Sequence, residues 1–302
     1  LWIASIKYTS KTEHVILLTQ LDRQGKQMEN IELSFDKNYR INHYRMTHIN
    51  KNKQLIIGTY INESESHKMR YGEVINTGVF SVLIKNGIAE EPQFYNFLLL
   101  SSQFDKQKVS GSAKKETSLN LQLVLNEITK NDSINVFVGE VFYPEYRQEY
   151  AANYGMYGYT TAPTSVFAGY RYQLAYVLTF SNTGELIWNS QLQYSNLLVK
   201  STRNVLHAYV DDNNDVLLYY GVGAEIITTI LNGRNIVQPT ENMPIEMLSP
   251  TDRIVTQYTT HLKHWYDNNF IYYGYQVVAG SRGSKKTARR RNILFINKLA
   301  YR

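Results

Sequence analysis

Cysteine is absent from the 302 residues. That excludes disulfides, thiolate nucleophiles and cysteine metal sites, and it leaves the compartment open. Proline is scarce, with six in all, while hydrophobic residues make up 43%. This is the composition of a chain that folds, not of a disordered one. No apolar run approaches the ~20 residues a membrane helix needs. The most apolar, "FYNFLLLSSQF" from Phe94 to Phe104, is short and broken by serines. The strands also lack the regular alternation of a membrane barrel, so no transmembrane segment is expected. Walker, GxGxxG, GxSxG and HExxH motifs are all missing. There is neither an initiator methionine nor a signal peptide, and "LWIASIKY" starts inside an apparent strand. Part of the domain is therefore expected upstream.

What is abundant is tyrosine, 25 residues of it, within a 13% aromatic content. Tyrosine suits a half-exposed pleated surface and favours β structure. Four stretches share one grammar: "HINKNKQLIIGTY", "ITKNDSINVFVGEV", "VDDNNDVLLYYGV" and "HWYDNNFIYYGY". Each has an Asn/Asp-rich turn, a short apolar strand and a glycine: Gly58, Gly139, Gly221 and Gly274. Asn and Asp make tight turns, and a glycine in a strand marks a close approach or a bulge. A strand precedes each turn and another follows each glycine, and "KNGI", "SNTGEL" and "LNGRN" then supply further hairpin turns.

The unit is four antiparallel strands joined by hairpins. Repeated along the chain, it predicts an all-β, β-propeller-like fold of four-stranded blades. Three whole blades and two partial ones are visible in a single domain over residues 1–302, with more possible upstream. A β-sandwich with irregular loops is the alternative.

Site chemistry is sparse. His43 and His48, and likewise His261 and His264, are predicted to face opposite sides of a strand, which suits no shared metal. "DDNND" (Asp211 to Asp215) resembles a calcium loop but lacks its glycine and distal glutamate. No metal or cofactor is expected. Trp2 and Trp188 occupy blade strands and are expected in the core. The net charge of +6 is concentrated in "SRGSKKTARRR", a predicted basic loop over 281–291 with Arg282, Lys285, Lys286, Arg289, Arg290 and Arg291. It lacks the stacking aromatics of a single-stranded nucleic-acid site. A solvated loop or a surface for anionic headgroups remains.

Residues 142–172 form a Tyr-rich insert between two strands, with Tyr143, Tyr146, Tyr150, Tyr154, Tyr157, Tyr159, Tyr170 and Tyr172. Long loops are usually functional or disordered, and aromatics argue against disorder. All of these tyrosines except Tyr172 are the predicted partner-binding residues; a lid on the chain's own domain is the alternative. The stretch "VFVGEVFYPEYRQEY…GYRYQLAYVLTFSNTGELIWNSQL" (Val136 to Leu192) resembles a family of exported, propeller-like proteins of Bacteroidota. The family pattern is a "GE-FYPEY" strand, a Tyr-rich insert, a "GYRY" return and a "G-L-W" turn. One member is a subunit of the type IX secretion translocon.

The resemblance implies a periplasmic, non-enzymatic protein on the inner face of the outer membrane. It would bind an outer-membrane barrel complex and plug the periplasmic mouth of the type IX translocon. The other expectations are a propeller that holds a glycan or small ligand in its axial channel and, last, a hydrolase or lyase, for which no convergent acid–base set is visible.

Overall fold

A computed structural model describes residues 2–8, 14–63, 75–102, 121–155, 158–222, 225–245, 252–266, 269–280 and 290–300. They form five antiparallel sheets. Sheet one is β1 (Trp2–Tyr8), β2 (His14–Leu21) and β3 (Gln27–Ser34). Sheet two is β4 (Tyr39–Asn50), β5 (Lys53–Asn62) and β6 (Gly78–Lys85), with β7 (Ile88–Ala89) and β8 (Gln93–Asn96) both paired to β6; helix α1 (Phe97–Ser102) follows. Sheet three begins with β9 (Leu123–Leu125) and β10 (Thr129–Lys130), then β11 (Ile134–Gly155), β12 (Gly158–Ser181) and β13 (Leu186–Val199). Sheet four is β14 (His207–Val210), β15 (Asp215–Val222), β16 (Glu225–Asn232) and β17 (Asn235–Pro244). Sheet five is β18 (Asp252–Tyr266), β19 (Asn269–Gly280) and β20 (Arg290–Ala300). The fold class is the predicted one, all-β and propeller-like, with antiparallel sheets that are four strands across in sheets two to four and three in sheets one and five. Contacts divide the chain into two compact units, Leu1–Ile128 with Asp132–Arg203, and Thr129–Asn131 with Asn204–Arg302.

Three hairpin turns close by one mechanism. The Asp22 carboxylate accepts the amides of Gln24 and Lys26, and the Asp211 carboxylate accepts those of Asn213 and Asp215. The Ser181 hydroxyl does the same for Thr183 and Glu185. In each, the fourth turn residue has positive φ: Gly25 at 80°, Gly184 at 82° and Asn214 at 66°. This is a type I turn with a left-handed bulge residue, a common three-residue hairpin loop. "DDNND" is therefore a β-turn whose first carboxylate is spent on backbone amides, which accounts for its loose likeness to a calcium loop.

In the first unit, sheet two lies between two cores. Ile56, Tyr60, Phe80, Val82 and Ile84 pack with Ile16, Leu18, Ile31 and Leu33 of sheet one. Their alternating neighbours Leu55, Ile57 and Val79 pack with Phe137, Val141, Tyr176, Leu178 and Phe180 of sheet three. Covered on both faces, β5 is buried throughout residues 54–61, which is why its apolar residues do not alternate with exposed polar ones. The run from Phe94 also enters this core. It is β8 followed by α1, whose Phe97 and Leu100 are buried. The Asn96 side chain accepts the amide of Leu98 at 2.7 Å and caps the helix. In the second unit, Leu217, Tyr219, Ile226 and Ile230 of sheet four pack against Leu262, Phe270, Tyr272 and Phe295 of sheet five.

Gly58, Gly139, Gly221 and Gly274 all fall within the second strand of sheets two to five. The strands run on through them instead of stopping there. Trp188 is buried and Trp2 packs partly buried against the sheet one core.

Candidate functional site

The Tyr-rich insert is not a loop. Strands β11 and β12 are 22 and 24 residues long and stay paired from Ile134↔Ser181 to Gly155↔Gly158. Beyond Phe142 and Tyr172 the hairpin continues as an arm. Two register shifts, at Val141/Phe142 and Glu145/Tyr146, mark its root. At the second, Gly169 has φ 149°, and a Cβ there would meet the Val199 carbonyl at 2.6 Å, so glycine alone fits.

Strand alternation sorts the arm into two faces. One is an aromatic ladder. Phe142 lies 5.5 Å from Tyr170 and 5.8 Å from Tyr172, and Phe167 lies 5.0 Å from Tyr170 and 5.7 Å from Tyr146. Tyr150 continues the row opposite Pro163. Tyr146 and Tyr150 are 60% and 70% exposed. The other face carries Tyr143, the Glu145–Arg171 ion pair and the Arg147–Glu149 pair. Arg171 grips both carboxylate oxygens of Glu145 through Nε and Nη2, and this holds the Glu145 carboxyl below its ordinary range. Tyr154 and Tyr159 pair their backbones near the tip. Their side chains, and all of Tyr157, lie outside the described residues.

At the arm's root an open cleft of about 550 Å³ is lined by Arg171, Tyr172, Gln173, Leu174, Gln193 and Tyr194. Behind it is Glu140, with no exposed surface, whose carboxylate accepts the Tyr194 hydroxyl at 2.7 Å. An ionised carboxylate is costly to bury and is kept only with strong donors. Tyr172 is spent as a pin. Its hydroxyl donates to the Arg203 carbonyl at 2.5 Å and accepts the Arg203 amide at 3.0 Å. Burial, reinforced by Glu140, pushes its pKa up to about 12, so it stays a neutral phenol. The Tyr194 side chain links the cleft to Glu140, since it lines the cleft while its hydroxyl donates to the buried Glu140 carboxylate.

Residue-by-residue reading missed this cluster. The signal was in the letters of the stretch from Val136 to Leu192. "GE" is Gly139–Glu140, "FYPEY" contains Glu145, and "GYRY" contains Arg171 and Tyr172. The structure brings these together across β11 and β12.

The predicted basic loop needs correction. Arg290 and Arg291 are the first residues of β20, not loop, and Arg291 is ion-paired to Asp252 at 2.7 Å. Arg282, Lys285, Lys286 and Arg289 lie outside the described residues. His261 stacks on Tyr273 and His264 on Tyr209, on opposite sides of β18 as their spacing predicted. Among the described residues no three His, Asp or Glu side chains group as a metal site, and no helix is long and apolar enough to cross a membrane.

No protein-family model and no curated protein matches the chain. Solved structures do align with it. The polysaccharide lyase Uly1 is 10% identical with a TM-score of 0.41, over 99% of this chain and 55% of that one. The NanB sialidase of Streptococcus pneumoniae is 12% identical with a TM-score of 0.22, over 97% and 49%. The chain thus spans about half the length of these structures. At such scores the likeness assigns neither a reaction nor a ligand to this chain. The expectation of a non-enzymatic protein is nevertheless withdrawn, because the structures that align along nearly its whole length are enzymes.

Proposed function

We propose that this chain recognises carbohydrate, with the cleft at the root of the β11–β12 arm as its binding site. The observation that supports this is the cleft's lining. Arg171, Gln173, Gln193 and Tyr194 offer planar hydrogen-bonding groups around an open volume, beside an exposed aromatic ladder. A sugar presents hydroxyls to the first kind of surface and its C–H faces to the second. The site differs in place from the axial channel expected from the sequence.

The test is calorimetric titration of the protein with a panel of soluble neutral and acidic polysaccharides. At least one should bind. Gln193→Ala and Tyr146→Ala should each weaken it about tenfold, or about 1.4 kcal/mol, with unchanged melting. Absence of binding across the panel, or unaltered affinity in both variants, refutes the reading.

A second reading is favoured by the arm itself. Tyr143, Tyr146, Tyr150 and Phe167 are exposed on a long two-stranded projection, and exposed aromatics dominate many protein interfaces. With the family resemblance, this makes a periplasmic subunit that docks on an outer-membrane barrel complex, in the manner of a plug for the type IX translocon. Capture of a large barrel protein by the wild type, lost in Tyr146→Ala/Tyr150→Ala, supports this reading. Capture unaffected by that double change refutes the arm as the contact.

A further inference from the structure

Among the described residues, sheet five of the second unit has an exposed face, turned away from sheet four, whose chemistry is specific. One side of sheet five packs on sheet four through Leu262, Phe270, Tyr272 and Phe295. The register sets out the other side in rows. Its middle is apolar and aromatic, with Tyr275 beside Leu294 and Tyr273 beside Ile296. Leu294 and Ile296 are 56% and 66% exposed. Its ends are cationic. Lys263, Ile271 and Lys298 form one end row, and Arg253, Ala279 and Arg290 the other. Exposed Trp265 and Tyr266 sit beside Lys298, whose Nζ lies 5.9 Å and 5.2 Å from their ring centroids. No acid shares these rows. Asp252, beside Arg253, is taken by Arg291.

We infer that this face of β18–β19–β20 docks on an anionic lipid bilayer surface. Two features select that occupant. Cations at both ends with no acid between them demand a negatively charged partner, and they disfavour a second copy, whose like charges would meet. Aromatic rings next to lysines are the side chains that settle at the headgroup boundary, with the apolar part inward and the charge outward. The inference does not depend on the cleft in the first unit.

The test is co-flotation of the full chain with phosphatidylcholine vesicles and with vesicles of equal parts phosphatidylcholine and phosphatidylglycerol. Binding should appear only with the anionic vesicles and weaken with salt. Lys263→Gln/Lys298→Gln should lower partitioning about 25-fold, since each cation near such a surface is worth about 1 kcal/mol. Leu294→Ser/Ile296→Ser should lower it at least about tenfold, as two half-exposed aliphatic side chains no longer enter the boundary. Both pairs are solvent-facing, and a melting curve confirms folding. Failure of the wild type to float with anionic vesicles overturns the inference, including the case where it instead captures an acidic protein. Flotation undiminished in the serine variant overturns it too, because the cations would then act without this face.

Discussion

Replacing the repeated glycines one at a time by alanine separates close approach from backbone freedom. At Gly58 an added Cβ would lie 2.3 Å from the His43 carbonyl oxygen, 2.6 Å from Cε1 of Phe80 and 2.8 Å from Cβ of Tyr44. The first belongs to the backbone of the neighbouring strand, and the second to a ring with no exposed surface. Neither can swing away, so β4 must move off β5. Overpacking of this kind costs about 1–3 kcal/mol, and Gly58→Ala should fall at the upper end. At Gly221 the Cβ would meet three atoms of the Tyr272 ring at 2.6, 2.8 and 2.9 Å. That ring is fully buried but is a side chain, so Gly221→Ala should cost less, about 1–2 kcal/mol. At Gly139 the nearest atoms are Leu123 Cδ2 at 3.4 Å and Leu125 Cδ2 at 3.8 Å. This is ordinary contact, and Gly139→Ala should fall within about 1 kcal/mol of wild type, helped by the smaller entropy of its unfolded chain.

Because the chain comprises two units, one unfolding free energy need not describe it. Amide exchange of β5, β11 and β15 reads the effects separately. Gly58→Ala should raise exchange in β5, and Gly221→Ala in β15. Gly139→Ala should leave β11 near wild type. A Gly139→Ala variant as damaged as Gly58→Ala would refute the reasoning. The glycines would then be required for something shared by the repeat, not for the neighbours each one meets.

Three other perturbations follow from local geometry. Arg291→Gln should lower stability by about 0.5–1 kcal/mol in urea unfolding, since its partner Asp252 is left only 11% exposed; Arg290→Gln should change it by less than about 0.5. Asp211→Ala removes the acceptor for the amides of Asn213 and Asp215, costing about 1 kcal/mol, and added calcium should leave the wild-type melting temperature unchanged. Tyr172 has its pKa raised from 10.0 to about 12 by burial, so the folded state holds that proton more tightly than the unfolded one. The resulting stability is complete below pH 10 and is lost as pH rises towards 12; Tyr172→Phe should flatten that part of the stability profile.

Hairpin order was legible because turn chemistry is local. An Asp or Ser side chain that accepts amides two and four residues ahead leaves its mark in five letters, as at Asp22, Ser181 and Asp211. The length of β11 and β12 was not legible. Tyrosine, alternating polar residues and two bulges are consistent with either a long loop or a solvent-exposed ladder, and only cross-strand pairing such as Tyr146↔Phe167 decides between them. Helix α1 was hidden for a related reason. Six residues carry too little periodicity to separate a helical turn from a buried strand. Arg291 looked like one more cation in a basic run because its partner Asp252 lies on another strand.

The site escaped for a further reason. Glu140, Tyr172 and Tyr194 come from three adjacent strands, and their spacing in the chain follows the lengths of two hairpins, not the needs of any chemistry. No search for acid–base spacing could find them. What the chain does reveal is an acid after the strand glycine in one repeat alone. The corresponding residues are Thr59, Val222 and Tyr275 in the others. A carboxylate where the other repeats place a neutral residue is a departure from the blade's own rule. Since Glu140 is fully buried and bonded by Tyr194, that departure has an energetic cost which packing alone would select against. Glu140→Gln tests what it is kept for. The amide retains an oxygen to accept the Tyr194 hydroxyl, so the fold should hold with a melting temperature close to or above wild type. Binding at the cleft should change, because Tyr194 would lose its carboxylate partner. A variant that is stable yet unaltered in polysaccharide binding would show that the buried carboxyl is not kept for the cleft.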